Sequence, residues 1–219
     1  MAQNTSTSNK TKTIQSRYDY AVAMQSVLDL GKDLYGPGFR IMEEDRSVIL
    51  KLLCWFLKDD AMAEHEDLDL ERGLLLSGPV GCGKTAIMQI LRRLCDPTRG
   101  FLLRSCSQVS LEFAQDGYDV VYRYTHRSFC IYSKQPRTVC FDDLGFEEDI
   151  PYYGAICNPM AQILAIRYDL FIDQGMITHA TTNLNSSEME RRYGNRIRSR
   201  MRQMFNLITF PHTNQDKRT

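Results

Sequence analysis

The 219-residue sequence predicts an α/β protein: a parallel five-stranded sheet between helices, organised around a phosphate-binding loop and preceded by a short helical extension. Three observations carry this expectation. Gly78-Pro79-Val80-Gly81-Cys82-Gly83-Lys84-Thr85 fits the pattern G-x-x-x-x-G-K-[ST]. Short apolar runs alternate with breaker-bounded helical patterns, as parallel strands require, because each connection must cross back over the sheet. Two of the runs end in polar side chains, Asp142-Asp143 and Asn183, and parallel sheets bind ligands beyond their strands' C-terminal ends.

Taken in order, residues 1–15 are almost all small and polar and read as a disordered tail. In residues 16–40, Tyr18, Ala21, Val22, Gln25 and Leu28 fall near helical spacing, with Ser16 as N-cap, and Gly36-Pro37-Gly38 ends the segment. The main domain is expected over 41–211. Its first helix, about 42–58, is apolar nearly all round and should be covered on most sides. An acidic stretch then leads into Leu74-Leu75-Leu76, a buried strand. The glycine loop follows, and the next segment has no helix breaker before Asp96-Pro97.

Strand, glycine loop and helix together aim backbone N–H groups and a helix N-terminus at a polyphosphate. The cradle runs from Gly78 through Pro79, Val80, Gly81, Cys82, Gly83, Lys84 and Thr85 to Ala86. Lys84 is placed to reach the β- and γ-phosphates of ATP, and the Thr85 hydroxyl to bind Mg²⁺.

Downstream, 100–105 reads as a second strand and 107–116 as a short helix capped by Ser107 and closed by Gly117. Residues 120–133 interleave cations and aromatics, including Arg123, Tyr124 and Arg127. That pattern suits a single-strand nucleic-acid track, in which bases stack while guanidinium groups hold phosphates, or else a half-buried hairpin. Thr138-Val139-Cys140-Phe141 is a third strand ending in Asp142 and Asp143. One acid at that position holds Mg²⁺ through its water shell and the other orients or deprotonates the attacking water. Asn158-Pro159 starts a helix that Gly175 stops. Residues 176–183 form a fourth strand, whose final Asn183 can hydrogen-bond a γ-phosphate or a water, or cap the next helix. An arginine-studded helix from about 188 to 205 and a last strand at 206–211 complete the domain, and 212–219 is a polar tail.

Composition narrows the class. Lys+Arg and Asp+Glu are 27 each, so no bulk charge points to nucleic acid or membrane. The distribution is uneven: residues 43–71 carry a net charge of −7 and residues 190–219 a net +6, a polarity that can steer a partner or a second subunit. Seven scattered cysteines with no C-x-x-C pair argue against a disulfide framework and a zinc ribbon. No stretch is long and apolar enough to span a bilayer and there is no leader-like apolar segment, so a cytoplasmic protein without membrane contact is expected.

Asp142-Asp143-Leu144-Gly145, Arg167-Tyr168, Thr181-Thr182-Asn183-Leu184, Tyr193-Gly194 and Ser199-Arg200-Met201 stand in an order that resembles AAA+ ATPases of the helicase-loader type, DnaC and DnaI, and their relative, the transposition helper IstB. The resemblance covers about 40–211. It implies Walker B acids at Asp142 and Asp143, a sensor-1 residue at Asn183, and an arginine finger donated in trans by Arg196 or Arg200. It further implies a homo-oligomeric ring or spiral, DNA as a partner, and a replicative helicase or transposase as the protein acted upon. Only nine residues follow Phe210, so no C-terminal helical lid is expected. ATP hydrolysis is the leading expectation. A nucleotide-gated assembly module with slow hydrolysis is the alternative, because Asp143 has a shorter reach than glutamate. A small-molecule kinase gives the Thr-Thr-Asn and arginine segments no role.

Overall fold

The computed structural model describes residues 16–211; the expected tails at 1–15 and 212–219 lie outside the described residues. Three helices open the chain: α1 (Tyr20–Tyr35), α2 (Arg46–Leu57) and α3 (Asp60–His65). Then come β1 (Gly73–Ser77), α4 (Lys84–Leu94), β2 (Leu102–Ser105), α5 (Cys106–Asp116), α6 (Tyr118–Tyr124) and β3 (Val139–Leu144). A small hairpin, β4 (Ile150–Tyr152) with β5 (Ala155–Cys157), precedes α7 (Pro159–Gln174), β6 (Thr178–Thr182), α8 (Ser186–Met204) and β7 (Phe205–Thr209).

The five long strands pair in the order β2-β3-β6-β1-β7, every pairing parallel, as expected. Helices cover both faces, which is why β1 and the start of β3 read as continuous apolar runs. Along β1, Leu74 and Leu76 enter a core shared with α1, α2 and α4, while Leu75 packs into a second core formed with α5, α6, α7 and α8. In β3, Cys140 joins the first core, and Val139 and Phe141 the second. Leu74 and Leu76 are fully buried, each contributing about 2 kcal/mol by transfer from water.

Local signals set most helix ends. Asn158 accepts from Ala161 N–H at 2.8 Å, Pro159 occupies the first turn of α7, and Gly175 (φ 67°) closes it. Asn185 and Glu188 form a capping box at the start of α8. That helix is broken at Gly194, whose φ of 80° and ψ of 160° are not helical.

Several expectations are corrected. Asp19, not Ser16, caps α1, accepting from Ala21 and Val22 N–H, while Ser16 donates to the Asp59 carboxylate at 2.5 Å. α2 starts at Arg46 after a 3₁₀ turn at Glu43–Asp45. Residue 105, not 107, precedes α5 as its cap position. Tyr118–Tyr124 is helical, so the first part of the cation-aromatic segment is not a hairpin. Met24 and Val27 of α1 lie in one core with Ile87, Met88 and Leu91 of α4.

Arg167 is completely buried in α7 and has no carboxylate partner among the described residues. Its guanidinium donates to Thr178 Oγ1 (2.7 Å) and to the carbonyls of Tyr124 (2.8 Å), Ile177 (2.7 Å) and Arg137 (3.2 Å). Burial pushes its pKa down to about 9. The side chain ties the end of α6 to the starts of β3 and β6, a structural part for the first residue of the Arg167-Tyr168 pair.

Candidate nucleotide site

The glycine loop leaves β1 and enters α4 through two residues in left-handed backbone, Gly81 (φ 80°) and Gly83 (φ 98°). Gly78 has a different reason to lack a side chain: a Cβ there would stand 2.8 Å from Phe210 Cβ, just beyond β7. The first turn of α4 thus points its free N–H groups at the loop's concavity.

Lys84 is 5% exposed, and its ammonium finds three oxygens for its three protons. It donates to the carbonyls of Gly78 and Pro79, both at 2.9 Å, and to Asn183 Oδ1 at 2.6 Å. The Cys82 sulfur lies 3.6 Å away. The loop lysine and the residue at the end of β6 are therefore in direct contact, as strand order alone could only suggest.

The paired acids occupy an irregularity of β3. Phe141 pairs with Ala180 and Leu144 with Thr182, so Asp142 and Asp143 stand opposite the single residue Thr181. This is a β-bulge, with Asp143 in left-handed backbone at φ 55°. A regular strand sends successive side chains to opposite faces, whereas here both acids line one cavity. Asp142 Oδ1 accepts from Thr85 Oγ1 (2.9 Å) and Thr181 Oγ1 (2.6 Å). Thr181 Oγ1 in turn accepts from Asp143 N–H at 2.9 Å.

That cavity measures about 1260 Å³, ample for a nucleoside triphosphate. Lys84, Thr85, Ala86, Asp142, Asp143 and Asn183 line one side, with Gly81, Cys82 and Gly83. The opposite wall was missed by sequence reasoning. Tyr35, Gly38, Phe39, Arg40, Ile41 and Met42 come from the end of α1 and the loop after it, and Asp45 and Ile49 from the start of α2. Tyr35 stacks on Phe39 with centroids 5.8 Å apart and donates to Gln89 of α4 at 2.9 Å. A loop of this kind has no periodicity to read; the break at Gly36-Pro37-Gly38 followed by Phe39-Arg40-Ile41 was the available signal.

The donor set suits Mg²⁺ in part: one hydroxyl and one carboxylate, both hard oxygen ligands. No group of three or more His, Cys, Asp or Glu among the described residues could hold a metal ion unaided. The fit therefore requires nucleotide phosphates as further ligands, the usual arrangement for this ion.

The late arginines separate. Neither Arg196 nor Arg200 lines this chain's own cavity. Arg196 is exposed and makes no hydrogen bond or ion pair among the described residues. Arg200 is held against α7, donating to Ala165 O (3.1 Å), paired with Asp169 (3.3 Å) and lying over the Tyr168 ring at 4.8 Å.

The expected nucleic-acid residues fare differently from one another. Tyr124 is 4% exposed, packs edge-on to Phe141 and donates to Glu112, so its ring is closed to base stacking. Arg123 is neutralised by Asp116 (2.6 Å) and Glu112 (3.0 Å). Arg127 is exposed, pairs loosely with Asp119 (3.3 Å) and stands 5.7 Å from the Tyr122 ring centroid. The cation-aromatic pattern thus belongs largely to the packing of α6 on α5.

A second residue group also escaped the sequence. Glu147, with a fully buried carboxylate, accepts from Gly145 N–H (2.8 Å), Asn158 Nδ2 (3.3 Å) and Tyr193 OH (2.5 Å), and Arg192 lies 3.4 Å away. It ties the loop after the paired acids to the turn of α8 just before the Gly194 break.

No family model matches the chain. An Fe(3+) ions import ATP-binding protein, FbpC of Photobacterium profundum, is 30% identical over 112 residues, 48% of this chain and 29% of that protein. The Vibrio cholerae serotype O1 protein of the same name is 34% identical over 61 residues, 27% of this chain and 17% of that one. The chain thus spans less than a third of the length of these curated relatives. Among solved structures, the DnaC helicase loader superposes with a TM-score of 0.53 at 13% identity, covering 79% of this chain and 93% of that one. DnaI gives 0.51 at 17% identity, with 79% and 88% covered, and a DNA replication initiation factor gives 0.51 at 15%, with 82% and 50% covered. Identities this low speak to architecture, and the architecture agrees over nearly the full length of two of these proteins. The chain has the fold of the DnaC and DnaI structures.

Proposed function

We propose that the chain is an ATP-binding and ATP-hydrolysing AAA+ protein that works as a homo-oligomer on DNA and loads or remodels a replicative helicase or transposition partner. The observation that supports the ATPase reading best is the convergence of Lys84, Thr85, Asp142, Asp143 and Asn183 on one cavity.

The chemistry follows from that geometry. Loop N–H groups and the α4 N-terminus bind the β- and γ-phosphates. The Lys84 ammonium turns from the Gly78 and Pro79 carbonyls toward phosphate oxygens, and Asn183 keeps it in place. Thr85 and Asp142 would hold Mg²⁺, whose positive charge would offset that of the phosphates. Asp143 accepts a proton from the water that attacks the γ-phosphorus, and ADP leaves. The wall from Tyr35 to Ile49 takes the base. Arg196, exposed and without a partner among the described residues, is the better finger for a neighbouring subunit's γ-phosphate, since Arg200 would first have to leave Asp169 and Tyr168. No helix among the described residues is long and apolar enough to cross a membrane, in keeping with a protein working in the cytoplasm.

The similarity to a helicase loader's fold and the polarity between residues 43–71 and 190–219 support the assembly and partner parts of this reading. A second reading, nucleotide-gated assembly with slow turnover, is favoured by the aspartate at position 143, one methylene shorter than glutamate. Turnover per protomer with and without DNA, beside sizing in ATP and a non-hydrolysable analogue, separates the two. DNA-stimulated turnover lost in both Lys84→Ala and Asp143→Asn is the expected result. Turnover that persists in Lys84→Ala overturns the ATPase reading, and nucleotide-dependent assembly without turnover selects the second.

A further inference from the structure

We propose that Thr181 is a positioning residue: its single hydroxyl holds the bulge that brings Asp142 and Asp143 to one site and fixes the Asp142 carboxylate for Mg²⁺. The inference rests on the nucleotide-site reading above and assigns it a residue outside the loop, the paired acids and Asn183.

The argument begins with the ladder. Between Phe141–Ala180 and Leu144–Thr182, β3 has two residues and β6 only one. A bulge of this kind leaves a backbone N–H without its regular ladder partner. Thr181 is fully buried, so an unsatisfied N–H beside it would carry a desolvation cost. Its hydroxyl meets that need, accepting from Asp143 N–H at 2.9 Å. A hydroxyl has one proton, and Thr181 gives it to Asp142 Oδ1 at 2.6 Å. One side chain therefore clamps the backbone of the second acid and the carboxylate of the first.

The same Oδ1 accepts from Thr85 Oγ1 at 2.9 Å. With two hydroxyl protons directed at one oxygen, the carboxylate's rotation is set, and the Thr85 oxygen keeps a lone pair for the metal. Thr182, the next residue, is engaged elsewhere: it donates to Leu144 O (2.7 Å) and accepts from Leu184 N–H (3.1 Å). The β-branched side chain of Thr181 suits a central strand, and its hydroxyl is what valine lacks at nearly equal volume.

The test measures affinity for ADP and for a non-hydrolysable ATP analogue, in Mg²⁺ and in EDTA, for the full chain and for Thr181→Val and Thr181→Ser, with turnover alongside. In Thr181→Val the affinity in EDTA stays within about twofold of wild type. The Mg²⁺-dependent gain in affinity falls by about 10-fold or more, the scale of a lost hydrogen bond to a charged group, and turnover falls at least as far. Thr181→Ser keeps the hydroxyl and retains the Mg²⁺ response.

Equal loss with and without Mg²⁺ in Thr181→Val marks a merely structural residue and overturns the assignment, as does a wild-type Mg²⁺ response in that variant. Should the valine variant not fold, Thr181→Ser decides: a serine variant that loses the Mg²⁺ response makes the methyl the active part and refutes the proposal. Wild-type protein that binds nucleotide without any Mg²⁺ dependence overturns the site reading and this assignment together. A variant unchanged beside a Mg²⁺-dependent wild type overturns the assignment alone.

Discussion

Replacing His179 should remove a defined part of the protein's acid sensitivity. This residue is the second of β6, wholly buried, against Trp55, Phe56 and Phe101 at centroid distances of 4.8, 5.9 and 5.2 Å. Its Nδ1 accepts from Leu74 N–H at 3.0 Å, which makes it the neutral tautomer protonated at Nε2. Burial, with the nearby positive charges of Arg99 and Arg167, pushes its pKa from 6.5 down to about 3. The unfolded chain takes up a proton near pH 6.5 and the folded chain does not, so stability is complete above that pH and falls as pH drops toward 3. Between pH 7.5 and 5.0 the loss amounts to about 2 kcal/mol, at roughly 1.4 kcal/mol per unit once below the unfolded pKa. His179→Asn keeps an acceptor near Nδ1 and lowers stability at every pH, because the ring leaves a void, but it carries no titrating group. Urea unfolding followed through Trp55, the chain's single tryptophan and a direct neighbour of the ring, reports both proteins at both pH values. Wild type should lose about 2 kcal/mol more than the variant on going to pH 5.0. Equal losses would refute the account.

Substitutions at Glu147, Arg196 and Arg200 have distinct expected outcomes. Glu147→Gln removes the buried carboxylate beside Arg192 and weakens the bonds from Gly145 and Tyr193; as Arg192 keeps its pairing with Asp149 at 2.9 Å, the loss should be about 2–3 kcal/mol, or roughly 5–10 °C in Tm by calorimetry. Arg196→Ala should abolish turnover while leaving both ATP affinity and Tm near wild type, whereas Arg200→Ala should lower Tm through loss of its contacts with Ala165, Tyr168 and Asp169. Normal turnover in Arg196→Ala would exclude it as the finger.

The difference between what was legible and what was not lies in the separation of the partners. The glycine loop, the Asn158-Pro159 start and the Gly175 stop are local: each residue type is chosen by backbone geometry a few residues away, so the letters carry the structure. The strands were legible in part: β1 and the start of β3 are apolar runs buried on both faces, whereas β6 is mostly polar and β2 partly exposed. The surroundings of the cation-aromatic stretch were not legible, for the opposite reason. Glu112 and Asp116, which neutralise Arg123, sit on the preceding helix, and the Tyr124 ring is buried against β3, facts that composition cannot contain.

By itself, then, the sequence determined the α/β class, the glycine loop between β1 and α4 and the two acids at the end of β3, because these depend on local backbone conformation and on residue type. Tertiary structure alone decided how the acids are aimed and what surrounds them. Lys84 meets Asn183 across 99 residues, and Thr181 meets Asp142 across 39. The wall from Tyr35 to Ile49 reaches the cavity only because α1 packs on α4. Contacts between strands and helices distant in sequence are set by register and packing, and a one-residue bulge in β3 changes which groups share a site without changing any residue of the motif.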